Sequence, residues 1–164
     1  MKDRNTYYRK ISSPIGQIYI TADNDYLRTI TFADTSQDVA GSDGGCIVES
    51  NPIIQQTEEQ LRQYFALKRT AFDLPITFTG TEFQRKTWQS LLGIPYGETR
   101  SYSQQARAIG NPKAVRAVGR TNGLNPIAIV VPCHRVIGKS GKLTGYAGGL
   151  DRKKFLLDLE RKNR

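Results

Sequence analysis

Ser101-Tyr102-Ser103-Gln104-Gln105-Ala106-Arg107-Ala108-Ile109-Gly110, followed at once by Asn111-Pro112-Lys113-Ala114-Val115-Arg116-Ala117-Val118-Gly119-Arg120, decides the architecture of this chain. Ser101 and Gln104 have the spacing of a capping box, which opens a short helix. Gly110 stops it. Asn111 is then the expected N-cap, and Pro112 the first residue, of a second helix running to about Asn122, before Gly123. Two short helices split by a tight Gly-Asn-Pro turn read as a helix-turn-helix. The second helix is small and basic. Ala114 and Gly119 let its backbone approach a partner closely, and Lys113, Arg116 and Arg120 suit phosphate contacts.

Helix signals continue on both sides. Thr81 and Gln84 form another possible capping box, followed by Phe83, Trp88, Leu91 and Leu92, and Ile94-Pro95-Tyr96-Gly97 ends that helix. Downstream, Ile127-Ala128-Ile129-Val130-Val131 is a short apolar run expected to be a buried strand, ending at Pro132. Cys133-His134 follows directly. A glycine-rich stretch, 138–149, leads to a last helix near 150–161, with Phe155, Leu156 and Leu159 as its apolar stripe.

The first third has a different period. Tyr8–Ser12, Gln17–Ala22 and Leu27–Phe32 are rich in β-branched and aromatic residues. Ser13-Pro14-Ile15-Gly16 and Asp23-Asn24-Asp25 are turn signals between them, so a three-strand meander is predicted. Residues 34–50 are polar and glycine-containing, and are expected to form a loop. Asn51 caps a helix with Pro52 at its first position, and Ile53, Ile54, Thr57, Leu61, Tyr64 and Phe65 form the face that packs on the sheet. The predicted fold is α+β. A small N-terminal antiparallel sheet with a helix (1–80) precedes a mostly helical C-terminal domain carrying a winged-helix-like helix-turn-helix (81–164).

Charge divides the chain at nearly the same place. Residues 1–84 carry 8 Lys and Arg against 11 Asp and Glu, a balance of −3, whereas residues 85–164 carry 16 against 4, a balance of +12. A basic second half points to a polyanionic partner. No apolar run is long enough to span a membrane, and the N-terminus has no signal-peptide core, so a cytoplasmic protein without membrane contact is expected. Two cysteines do not make a secreted disulfide scaffold. Cys46 lies in a glycine-rich stretch and reads as a bystander thiol. Two cysteines and one histidine do not suggest a zinc site, so no metal is expected.

Cys133 is the candidate nucleophile. A thiol at its reference pKa of about 8.5 is mostly protonated at neutral pH, and a neighbouring base or cation can generate the thiolate. His134 and Arg135 both follow it. On this spacing alone a buried cysteine beside a satisfied histidine is the commoner outcome.

The surrounding blocks change that balance. Pro132-Cys133-His134-Arg135-Val136 resembles the active-site signature of the O6-alkylguanine-DNA alkyltransferases, also called methylated-DNA–protein-cysteine methyltransferases. Asn111–Gly119 resembles that family's helix-turn-helix, and Asn125-Pro126 its asparagine hinge. Gly145-Tyr146-Ala147-Gly148-Gly149-Leu150 resembles its substrate-pocket loop, and Leu156–Glu160 its closing helix. The blocks occur in the family's order and spacing over residues 82–160. Over residues 7–80 the likeness is looser, resting on Ser12–Gly16 and the strand pattern.

The resemblance implies an RNase H-like support domain over 1–80 and a single-use alkyl acceptor for flipped O6-alkylguanine in double-stranded DNA, acting as a monomer without cofactor. It implies Cys133 as acceptor, His134 as general base through a water, Glu160 as its orienting acid and Asn125 as hinge. Tyr102 would give a proton to the departing guanine. Val136, Tyr146 and Ala147 would line the base pocket. Arg116 would fill the space left by the flipped base. Lys113 and Arg120 are expected at phosphates from their helix position, and the small residues Ala114 and Gly119 at the DNA-facing backbone. Three other readings stand beside it: a helix-turn-helix regulator, a lesion-binding relative without transfer, and a cysteine hydrolase. The regulator needs no Cys133, the lesion binder replaces it, and the hydrolase leaves the basic helix unexplained.

Overall fold

The computed structural model describes residues 5–34, 46–47 and 50–163. The chain forms two units, Met1–Thr77 and Phe78–Arg164.

In the first unit β1 (Thr6–Ser13), β2 (Gly16–Ala22) and β3 (Leu27–Phe32) form the antiparallel meander. Period-two alternation explains its core. Ile18, Ile20 and Ala22 of β2 are buried, and Ile18 pairs with Phe32 and Ile20 with Ile30 across the β2–β3 ladder. A short β4 (Cys46–Ile47) adds in parallel to β1, giving the order β3-β2-β1-β4. It lies in the stretch expected as a loop. Residues 35–45, 48 and 49 of that stretch, and the thiol of Cys46, lie outside the described residues.

The α1 helix (Pro52–Phe65) begins as expected, with the Asn51 side chain accepting from the Ile54 amide at 2.9 Å. Asn51 also donates to the Asp23 carbonyl at 2.9 Å. One side chain therefore caps the helix and ties it to the β2–β3 turn. Ile54, Leu61 and Tyr64 bury the apolar face, each worth roughly 1.5–3 kcal/mol on removal from water.

The second unit builds around short helices. The α2 helix (Glu82–Leu91) carries the full Thr81–Gln84 capping box. Trp88 and Leu91 are buried, but Leu92, expected on the same stripe, is the helix C-cap and 39% exposed. The β5 strand (Arg100–Ser101) leads into α3 (Tyr102–Ala108), whose Ser101–Gln104 capping box is complete. The next helix, α4 (Val115–Asn122), starts later than expected. Asn111 and Pro112 are not its N-terminus. The Asn111 carbonyl instead accepts from the Ala114 amide at 3.0 Å, closing a turn, and Ala114 becomes an N-cap without a side-chain bond. Asn-Pro signals a turn as well as a helix start, and here the turn wins. Inside the motif Gln105 and Asn122 exchange amide hydrogen bonds at 2.7 and 3.0 Å, locking α3 to α4.

The β6 strand (Val136–Ile137) pairs in parallel with β5, and α5 (Leu150–Lys162) closes the unit. Leu156, Leu157 and Leu159 are buried, whereas Phe155, expected in the stripe, is 38% exposed. Among the described residues no helix is long and apolar enough to cross a membrane.

Candidate active site

The apolar run before Cys133 is buried, but it is not a strand. Ile129 has φ 71°, and the Val130 amide bonds the Ala128 carbonyl at 2.8 Å around it. A β-branched residue with positive φ is a genuine outlier, and such strain costs about 1–3 kcal/mol. The Val131 amide closes the turn on the Ile127 carbonyl at 3.0 Å. A second tight turn follows at Pro132 (φ −85°, ψ 64°), where the Cys133 amide bonds the Val131 carbonyl at 2.9 Å. Cys133–Arg135 then form one turn of 3-10 helix.

Asn125 holds these turns from outside. Its side chain accepts from the Ile127 amide at 3.0 Å and donates to the Val131 carbonyl at 2.7 Å. One amide thus spans both ends of the strained segment that delivers Cys133.

His134 and Glu160, 26 residues apart in sequence, meet at 2.7 Å between His134 Nε2 and Glu160 Oε2. Both are buried. Arg135 grips the same carboxylate with two bonds, Nε to Oε1 at 2.8 Å and Nη2 to Oε2 at 3.1 Å, and donates Nη1 to the Ile94 carbonyl at 2.7 Å. Burial opposes ionisation of Glu160, but the hydrogen bonds and charges of His134 and Arg135 outweigh it and hold the carboxyl well below its usual range. An ionised carboxylate only accepts, so Nε2 carries the proton in this contact. In neutral His134 the lone pair then sits on Nδ1, which is buried and has no hydrogen-bond partner. Burial lowers the histidine pKa against the pull of Glu160, favouring this neutral form.

Burial pushes the Cys133 thiol up, partly offset by a hydrogen bond from Asn125 and the charge of Lys153. The resting thiol is therefore protonated, beside a neutral buried base. Tyr102 donates its phenol to the Thr144 carbonyl at 2.9 Å. Gly145, at φ 51°, lies where an added Cβ would come 3.9 Å from that phenol oxygen. The Tyr146 phenol is raised well above its ordinary value by burial and then by Cys133. Val136 is buried, its amide bonds the Cys133 carbonyl, and Ala147 is exposed.

On the helix-turn-helix Lys113, Arg116 and Arg120 are exposed. Arg116 and Arg120 are four residues apart and share one face of α4. Gly119 faces inward instead, where a Cβ would touch the Tyr102 ring at 3.7 Å. From Thr99 to Leu150 the sequence contains no Asp or Glu. The structure therefore gathers Cys133, His134, Glu160 and Asn125 around one turn, Tyr102, Tyr146 and Val136 near it, and leaves Arg116 and Arg120 exposed on α4 with Lys113 exposed just before it. Sequence reasoning missed Lys153 and gave Arg135 a different partner. Neither pairing has a local spacing signal. Among the described residues no group of three or more His, Cys, Asp or Glu could hold a metal.

Comparison with known proteins agrees along the whole chain. Residues 82–162 match the 6-O-methylguanine DNA methyltransferase DNA binding domain, and residues 6–78 match that family's ribonuclease-like domain. The methylated-DNA–protein-cysteine methyltransferase of Methanosarcina acetivorans is 49% identical, covering 94% of this chain and 97% of that protein. That of Mycolicibacterium paratuberculosis is also 49% identical, covering 95% and 93%. The crystal structure of Mycobacterium tuberculosis O6-methylguanine methyltransferase superposes with a TM-score of 0.87 at 45% identity, covering 97% of this chain and 94% of that one. A structure of the Mycobacterium tuberculosis protein in complex with DNA gives 0.85 at 46% identity, covering 96% and 94%. The chain belongs to the 6-O-methylguanine DNA methyltransferase family, and carries both its ribonuclease-like and its DNA-binding domain.

Proposed function

We propose that this chain repairs DNA by moving a methyl or other alkyl group from O6-alkylguanine to Cys133, once per molecule. The observation that carries the reading is the buried His134–Glu160 contact, which leaves Nδ1 as the free base nitrogen of the residue next to a protonated thiol. The names of the curated relatives support the same activity.

Cys133 gives its proton to His134 Nδ1 through a water, and Glu160 stabilises the imidazolium. The thiolate attacks the alkyl carbon, and the C–O6 bond breaks with its electron pair going to the base. Tyr102 protonates the departing guanine. The product is a thioether, which no further group of the site cleaves. Asn125 is the hinge that holds the turn. Val136, Tyr146 and Ala147 border the base pocket.

Lys113, Arg120 and the first-turn amides of α4 that follow its N-cap Ala114 are assigned to phosphates, with Gly119 seating α4 against Tyr102. Arg116 is assigned to the gap left by the flipped base. Arg116→Ala should slow repair of duplex DNA about 10-fold or more while sparing reaction with free O6-methylguanine base. Single-turnover rates on the two substrates check this, and equal losses would remove the finger role.

The N-terminal unit is assigned a supporting role. A catalytic free thiol fits a reducing compartment, so the cytoplasm belongs to this reading, as does a monomer on damaged double-stranded DNA. The deciding experiment incubates the protein with duplex DNA carrying O6-methylguanine, weighs it intact and maps the modified peptide. One added methyl group on Cys133 is expected. Tight binding to that DNA with no gain in mass would sink transfer and favour a lesion-binding protein.

A further inference from the structure

Lys153 is a fully buried cation that the steps above leave unused. Its Nζ donates to the carbonyls of Val136 at 2.6 Å, Thr144 at 2.8 Å and Gly145 at 3.2 Å, and lies 3.5 Å from the Tyr102 phenol oxygen. Those acceptors are all neutral. On its own helix Asp151 and Asp158 are exposed, and Glu160 is engaged by His134 and Arg135. The titratable groups facing Lys153 from other elements are Cys133 and His134 of the 3-10 turn and Tyr102 of α3.

A buried ammonium without a carboxylate is costly, and a neutral side chain of similar length would fill the space. The charge gains a counterpart only when negative charge forms nearby. In the proposed transfer it forms twice, on the Cys133 sulfur and then on the departing base beside Tyr102. The Lys153 charge acts on Cys133, and its Nζ is 3.5 Å from the Tyr102 phenol oxygen. Its charge already draws the Cys133 thiol down, its ammonium stands 5.8 Å from the Tyr102 ring centroid, and its carbonyl contacts tie Thr144–Gly145 to β6.

We propose that Lys153 is the counter-charge of alkyl transfer, a positioning residue that holds the Thr144–Gly145 loop and Tyr102 in place while its ammonium neutralises the charge passing from Cys133 to the leaving base. This rests on the transfer reading above. Burial lowers the lysine pKa to about 8. The transfer rate should therefore rise with pH as His134 becomes neutral, then fall above about pH 8 as the ammonium is lost.

The test is the single-turnover methyl-transfer rate from duplex O6-methylguanine DNA across this pH range, with DNA affinity measured separately. The full chain and its Lys153→Met and Lys153→Arg variants are compared. In the unsubstituted protein a falling alkaline limb is expected. Lys153→Met should lose about 10²-fold in rate, with near-normal DNA affinity and no alkaline limb. Lys153→Arg, which keeps its charge, should recover part of the rate and also lose the limb.

A rate that keeps rising with pH in the unsubstituted protein would overturn the proposal, whether or not the variants fold. So would a folded Lys153→Met variant with the original rate and profile, or one that loses only DNA affinity. Absence of methyl transfer at every pH would instead sink the transfer reading itself.

Discussion

Cys133→Ser is expected to take up no methyl group from O6-methylguanine DNA while still binding that DNA. The two side chains are close in size, and the site offers a serine hydroxyl the Asn125 amide, which pulls on the Cys133 thiol. Stability should therefore stay within about 1 kcal/mol. Chemistry should not survive. Burial keeps even the thiol protonated at rest, so attack depends on passing the proton to a neutral histidine whose own pKa is lowered. A hydroxyl is a much weaker acid and a much poorer nucleophile, and the same base cannot activate it. The transfer rate should fall by at least about 10⁴-fold, below detection by intact mass. A methylated serine variant would show that another residue accepts the group.

Features written within a few residues were legible in the sequence. The Thr81–Gln84 and Ser101–Gln104 capping boxes and the Asn51 cap each depend on partners three residues apart, and all three form. The strand meander followed from period-two alternation with turn residues between. Asn111-Pro112 failed because one local signal serves two outcomes, and the Asn111–Ala114 turn took it. Ile127–Val131 revealed its burial but not its shape. Composition fixes apolarity, while the positive φ at Ile129 is sustained by Asn125, a neighbour whose hinge role came from family resemblance. The site itself divides similarly. Cys133 and His134 stand side by side, but Glu160 was placed only through the family blocks. The Arg135 grip on Glu160 and the Lys153 cluster pair residues with no periodic or capping relation. Nothing short of the fold brings them together.

Glu160→Gln should slow transfer about 10²- to 10⁴-fold and destabilise the protein by roughly 3–5 kcal/mol at neutral pH. The carboxylate accepts from His134 and twice from Arg135, and the Gly97 amide points at it from 3.3 Å. A glutamine has one acceptor oxygen and one donor group. If its oxygen faces His134, its NH2 meets the Arg135 guanidinium, donor against donor, and a buried cation loses its counter-charge. If the NH2 faces His134, Nε2 must become the acceptor and the proton moves to Nδ1. That nitrogen can then no longer receive the thiol proton, so the base is lost although every heavy atom stays in place. Both orientations cost stability, and the second removes catalysis outright. The pH dependence separates the charge from the shape. Glu160 is held below its ordinary value of 4.5 in the folded protein, so between that value and its lower folded one the unfolded chain binds more protons. Its contribution is fully present above about pH 4.5 and disappears as pH falls through the folded value. Urea unfolding at pH 7 and pH 3 should therefore show a large gap between the two proteins at pH 7 that narrows at pH 3. A gap unchanged by pH, or a glutamine variant transferring methyl at the original rate, would mean that Glu160 acts by filling space and not by its charge.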